Sequence, residues 1–236
     1  MINVCLDKAA RALAVMALLA CCAPSVYGQS PSSNRTESVS FRFAAGAWKT
    51  SEWILVKSPR WKHFGGWEQK ADHIQNQVPS GATEEQMLGK LAPETYTSMV
   101  YARMVSTQFT LRATMAFMHR MAPLIVLAPV LGRSADGCPE YREHFEIVIF
   151  DKGVNVWRHA VDVRGKPVWT RAAYGLFPLK PGVTYRLEVV KIGKNLQVSV
   201  DGHTLGYHDE ALPESCYVGI TGCEGLNKFY DFSIEP

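Results

Sequence analysis

The stretch that decides the fold is VTYRLEVVKIGKNLQVSVDGHTLGYHDEALPESCYVGITGCEGLNKFYDFSI, from Val183 to Ile234. Tyr185, Leu187 and Val189 alternate with Arg186, Glu188 and Val190. Leu196, Val198 and Val200 alternate with Gln197, Ser199 and Asp201. Alternation of period two gives a strand one dry face and one wet face. Gly193-Lys194-Asn195 and Asp201-Gly202 lie between these runs, and an Asp-Gly pair supplies the positive φ values of a tight hairpin turn.

The same grammar extends towards the N-terminus. Strands are predicted at 38–43, 52–56, 67–71, 74–78, 96–105, 108–118, 124–130, 143–150, 154–159 and 167–172. The pairs 67–71 and 74–78 read as a hairpin. Turns fall at 132–137, 151–153, 165–166 and 178–182. The one helix expected is short, 83–90, with Thr83 as N-cap and Gln86 completing a capping box. About a dozen strands without βα alternation predict an all-β antiparallel sandwich, a jelly roll, over residues 39–236.

Bulk properties fit one such domain. The chain has 236 residues, 47% hydrophobic and 20% charged. That length buries roughly 70% of the unfolded surface. The net charge of +3 is spread out, and no Lys/Arg run points to nucleic acid. Lys8 and Arg11 followed by the apolar run Ala12–Cys22 predict a signal peptide over residues 1–28. A lipoprotein box, Leu18-Leu19-Ala20-Cys21, is the alternative, with Cys21 lipidated. Residues 29–38 read as a disordered polar linker. No apolar run reaches spanning length, so the expected location is secreted or periplasmic. Of the cysteines beyond the signal, Cys216 and Cys223 flank a strand, and seven extended residues span about 23 Å. A bridge from Cys138 to either one, or three free thiols, are both open.

The tail residues Val198, Val200, Asp201 and Gly202, then Gly219, Gly222, Phe229, Tyr230, Asp231 and Phe232, resemble the end of the concanavalin A-like lectin and glucanase superfamily. Within it the chain resembles laminin G-like jelly rolls and, most of all, 3-keto-disaccharide hydrolase-type domains, in which a strand like Tyr141–Asp151 crosses the concave sheet. The resemblance implies an exported carbohydrate-active protein with a saccharide as partner. It leaves open a glycoside hydrolase or lyase, a lectin-like module without catalysis, and an adhesion domain that binds protein.

Strand parity selects candidate site residues. Phe109, Leu111, Ala113, Met115 and Phe117 are expected to face the core, which turns Arg112 outward. Phe145, Ile147 and Ile149 inward leave His144 and Glu146 outward. Val154 and Val156 inward leave Asn155, Trp157 and His159 outward. If these strands are neighbours, Glu146 and His144 form an acid/base pair. Arg112, Asn155, Trp157 and His159 then hold the sugar, the indole covering a pyranose face while planar polar groups bind hydroxyls. Trp48, Trp53, Trp61 and Trp67 are divided between a rim over that face and the core. No cofactor is expected. A divalent cation such as calcium is compatible with the fold, but no ligand set stands out. The Glu-x-Asp-x-x-Glu strand of a retaining glucanase of this fold is absent from the sequence.

Overall fold

A computed structural model describes residues 38–61, 65–89 and 95–236. The predicted signal peptide, Cys21 and nearly all of the linker lie outside these residues. In chain order the strands are β1 Val39–Arg42, β2 Trp53–Leu55, β3 Trp67–Gln69, β4 Ile74–Asn76, β5 Thr97–Tyr101, β6 Gln108–Phe117, β7 Met121–Ala128, β8 Leu131–Arg133 and β9 Pro139–Tyr141. They continue with β10 His144–Phe150, β11 Gly153–Val161, β12 Pro167–Leu176, β13 Tyr185–Ile192, β14 Asn195–Val200, β15 His203–His208, β16 Tyr217–Gly222 and β17 Asn227–Glu235. The helix α1, Glu84–Leu88, carries the expected capping box, with the Gln86 N–H donating to Thr83 and the Thr83 N–H to the Gln86 side chain.

Two antiparallel sheets make the sandwich. One runs β15-β14-β13-β6-β17-β4-β3, with β1 also on β17. The other, seven-stranded, runs β12-β11-β10-β7-β16-β5-β2. A small β8-β9 ladder forms a separate two-stranded sheet. It flanks the turn predicted at 132–137 and is not expected from the sequence, because two strands of three residues leave no readable alternation. The β14-β15 turn is as expected: Asp201 and Gly202 both have positive φ, at 49° and 79°. The inward residues read from parity on β6, β10 and β11 all lie in one core between the sheets. Cys216 and Cys223 are buried free thiols, so neither bridges Cys138. Among the described residues no helix is long and apolar enough to cross a membrane.

One core position is charged. Lys191 follows Tyr185, Leu187 and Val189 on the inward face of β13 and is fully buried. Its ammonium donates to the carbonyls of Thr107 and Gly193, at 3.1 and 2.9 Å. Burial lowers its pKa from the usual 10.5, against the pull of the nearby Cys216 thiol. Between the lowered value and 10.5 the unfolded chain holds the proton and the folded chain does not. Stability therefore rises with pH across that window. Comparing the pH dependence of chemical denaturation of the native chain and of Lys191→Met isolates this effect. The native chain is expected to gain stability relative to the variant as pH climbs towards 10.5, and parallel curves would contradict it.

Candidate functional site

The site lies on the outer face of the seven-stranded sheet, where β10 and β11 are adjacent. Their register sets His144 opposite His159 and Glu146 opposite Trp157. Paired residues of an antiparallel ladder share a face, so these four side chains and Asn155 leave the sheet on the same side. Glu146 is the centre. Its Oε2 lies 2.9 Å from His159 Nε2, and its Oε1 lies 3.4 Å from His144 Nε2. The imidazoles stack on one another at 4.2 Å, and Tyr141 stacks on His144 from the other side at 4.7 Å.

This face is covered, not open. The chain around Lys57 pairs with β9, through Lys57 N–H to Pro139 and Tyr141 N–H to Lys57. That brings β9 and its Tyr141 over the sheet. A second apolar cluster results, formed by Val56, Tyr96, Val100, Leu124, Val126, Tyr141, Val148 and their neighbours, with Trp61, Trp157 and Tyr217 packed against it. His144, Glu146, Asn155 and His159 are consequently buried, with Glu146 only 6% exposed and His144 2%. Parity gave their direction correctly. The lid was invisible because it is assembled from short, non-local contacts.

Arg112 is a correction. Its strand β6 belongs to the other sheet, between β13 and β17. There it pairs with Glu188 and Glu235, both at 2.7 Å, and takes no part in this cluster. The condition that β6 neighbours β10 fails because the long crossovers of the sandwich put the two strands in different layers. Of the four N-terminal tryptophans, Trp53 is core, Trp48 and Trp67 pack against that core, and Trp61 alone borders the site.

Four contributors escaped the sequence reading. Trp169 pairs with His159 and Tyr174 with Asn155 on β12, so both rings emerge on the site's face, 44% and 52% exposed. The hairpin turn after Val161 was a usable signal, since it carries the outward parity of His159 across to Trp169. Arg60 lies over the rings of both Trp61 and Trp169, at 4.4 and 4.0 Å. Glu224, in the β16-β17 connection, has φ +53°, a left-handed conformation uncommon outside glycine. No sequence pattern announces that.

The electrostatics separate the two carboxyl groups. Burial alone raises the Glu146 pKa, but the His159 and His144 imidazoles overcome it and hold the group well below the usual range. Burial raises Glu224, opposed by Arg60 and reinforced by the charge on Glu146. Burial and then the Glu146 charge also push up the Tyr96 hydroxyl. Among the described residues, the buried side-chain polar atoms without a hydrogen-bond partner include four at this site: His144 Nε2, Asn155 Oδ1, Arg60 Nε and the Tyr96 hydroxyl. One carboxylate and two imidazoles are a donor set able to move protons or to hold a metal ion. His144, Glu146 and His159 offer one ligand atom each, all within 4.8 Å of one another.

No family model matches the sequence, and no curated protein matches it. Solved structures match the fold. A glycoside hydrolase family 16 endo-glucanase from Bacteroides ovatus superposes with TM-score 0.55 at 9% identity, over 83% of this chain and 99% of that one. β-Agarase A from Zobellia galactanivorans gives TM-score 0.56 at 8% identity, over 83% and 89%. The carbohydrate-binding module CBM66 from Bacillus subtilis gives 0.54 at 12% identity, over 78% and 96%. The antiparallel β-sandwich of this chain thus shares the jelly-roll fold of these proteins.

Proposed function

We propose that this is an exported carbohydrate-active protein that binds a saccharide along the exposed aromatic strip of β11 and β12, at the margin of the covered cluster on the seven-stranded sheet, and cleaves it by acid/base chemistry. The observation that carries the reading is Glu146, buried and clamped between His144 and His159, beside a strip of half-exposed aromatic rings. A buried carboxylate with two imidazoles is costly to fold, and environments that drive paired carboxyl groups apart in pKa mark acid/base sites. The Glu146–His144 pair is the base, the carboxylate held ionised by the imidazoles and polarising them in turn. Glu224, whose carboxyl is pushed up by burial against the pull of Arg60, is the candidate proton donor. Trp157, Trp169 and Tyr174 supply apolar ring area for pyranose faces, and Asn155 and His159 supply polar atoms. The folds matched include hydrolases and a binding module, which supports a saccharide ligand for either kind of activity. The resemblance to 3-keto-disaccharide hydrolase-type domains makes a modified disaccharide a first choice of substrate.

A screen of glycans and aryl glycosides tests this. Turnover is expected for at least one glycoside. Trp169→Ala is expected to weaken its binding about 10-fold, the equivalent of roughly 1.4 kcal/mol of lost ring contact. Calorimetric titration reads that change. A lectin-like module gives another pattern: no turnover, binding that survives Glu146→Gln and His144→Ala, and binding lost in Trp157→Ala. A folded protein with affinity for no saccharide leaves the adhesion reading.

A further inference from the structure

We propose that His144, Glu146 and His159 bind a first-row divalent transition metal ion, with zinc as the reference ion, through the Nε2 atoms of both histidines and the Glu146 carboxylate. The inference does not rest on the saccharide reading: the ion is read with no sugar present, and when bound it makes Glu146 a ligand in place of a free base.

Three observations carry it. First, the three ligand atoms already converge within 4.8 Å of one another. Zinc bonds of about 2.0–2.1 Å in a tetrahedral array set neighbouring ligand atoms roughly 3.3 Å apart. The contacts of Glu146 with the two imidazoles, 2.9 and 3.4 Å, are near that spacing. Second, the His144 tautomer is fixed for ligation. Its Nδ1 lies 2.9 Å from the Arg142 carbonyl oxygen, an acceptor only, so Nδ1 carries a proton. Metal-binding histidines are held in this way through their second nitrogen. In the neutral ring Nε2 is then a lone pair aimed at Glu146. Third, that Nε2 makes no hydrogen bond, although the side chain is only 2% exposed. A ring nitrogen that approaches a buried carboxylate at 3.4 Å without hydrogen-bond geometry is satisfied by a second ring proton or by a cation held between the two, and the converging third ligand favours the cation.

The donor set also selects the ion. Two imidazoles and one carboxylate suit zinc, iron, cobalt or nickel, whereas calcium prefers six to eight oxygens. Three protein ligands leave a coordination position open, the mark of a reactive site. A water there would have its pKa lowered to about 7.

The full chain, stripped with a chelator, is titrated with Co²⁺ as a spectroscopic substitute and with Zn²⁺, and bound metal is counted by elemental analysis. One ion per chain is expected, with visible Co²⁺ absorption that Zn²⁺ abolishes. The absence of thiolate-to-cobalt charge-transfer bands separates this site from binding by cysteine. Glu146→Gln and His159→Gln are each expected to weaken the ion by at least about 100-fold, since loss of mere outer-shell partners costs roughly 10–100-fold. His208→Ala, on an exposed strand, leaves affinity unchanged. The inference is overturned if the native chain takes up no stoichiometric Co²⁺ or Zn²⁺ at micromolar free metal. It is also overturned if only Ca²⁺ binds, or if folded Glu146→Gln retains full affinity. The native-chain titration needs no variant, so a misfolded mutant cannot shelter it.

Discussion

Glu146→Gln is expected to lower glycoside turnover roughly 10²–10⁴-fold, the range that a positioned proton-transfer group contributes. The amide keeps the shape of the side chain but can neither hold the charge nor accept a proton. The fall is expected in kcat and kcat/KM together, because the lost interaction belongs to the transition state. Glu224→Gln separates the two roles. Without a proton donor, substrates with a poor leaving group slow most, and aryl glycosides with an acidic phenol retain much of their rate. The Glu146 variant slows both alike. Equal rates for native and folded Glu146→Gln protein on the best glycoside would end the catalytic assignment.

Phe232→Ala is expected to destabilise the domain by about 3–5 kcal/mol, the usual cost of emptying a buried phenylalanine site. Phe232 is fully buried on β17. Its ring meets Trp53 edge-on at 5.5 Å and Phe41 at 6.3 Å. The cluster joins the sheets, since Phe41 and Phe232 come from one and Trp53 from the other. These rings are rigid and cannot collapse into the void, which favours the upper part of the range. In a thermal scan the loss corresponds to a fall on the order of 10 °C. Chemical denaturation with an unchanged slope and an earlier midpoint is the confirming result, and a change below about 1 kcal/mol would contradict the assigned packing.

The sequence disclosed what depends on near neighbours along the chain. The β13-β14-β15 meander was legible because each strand alternates cleanly and each turn carries its own glycine. The helix cap at Thr83 and Gln86 was legible for the same reason. His144, Glu146, Asn155 and His159 were found because β10 and β11 form a hairpin, whose register parity alone determines. Arg112 was misassigned because parity gives a face but not a layer. The choice between sheets is made by crossovers that leave no periodic trace. Burial of the site was missed because its cover comes from the Lys57 segment pairing with β9, contacts some 80 residues apart in the chain. Glu224 depends on a backbone twist in a loop, which residue type alone does not reveal.

Arg60 fills a place that a ligand would want. Its guanidinium rests on the indole faces of Trp61 and Trp169. Such contacts are worth about 0.5–1 kcal/mol each at exposed positions. A sugar stacking on the same side of Trp169 must evict this built-in placeholder, while one approaching the opposite side meets a ring already braced. One side of the Trp169 indole is thus already taken by a cation of the same chain.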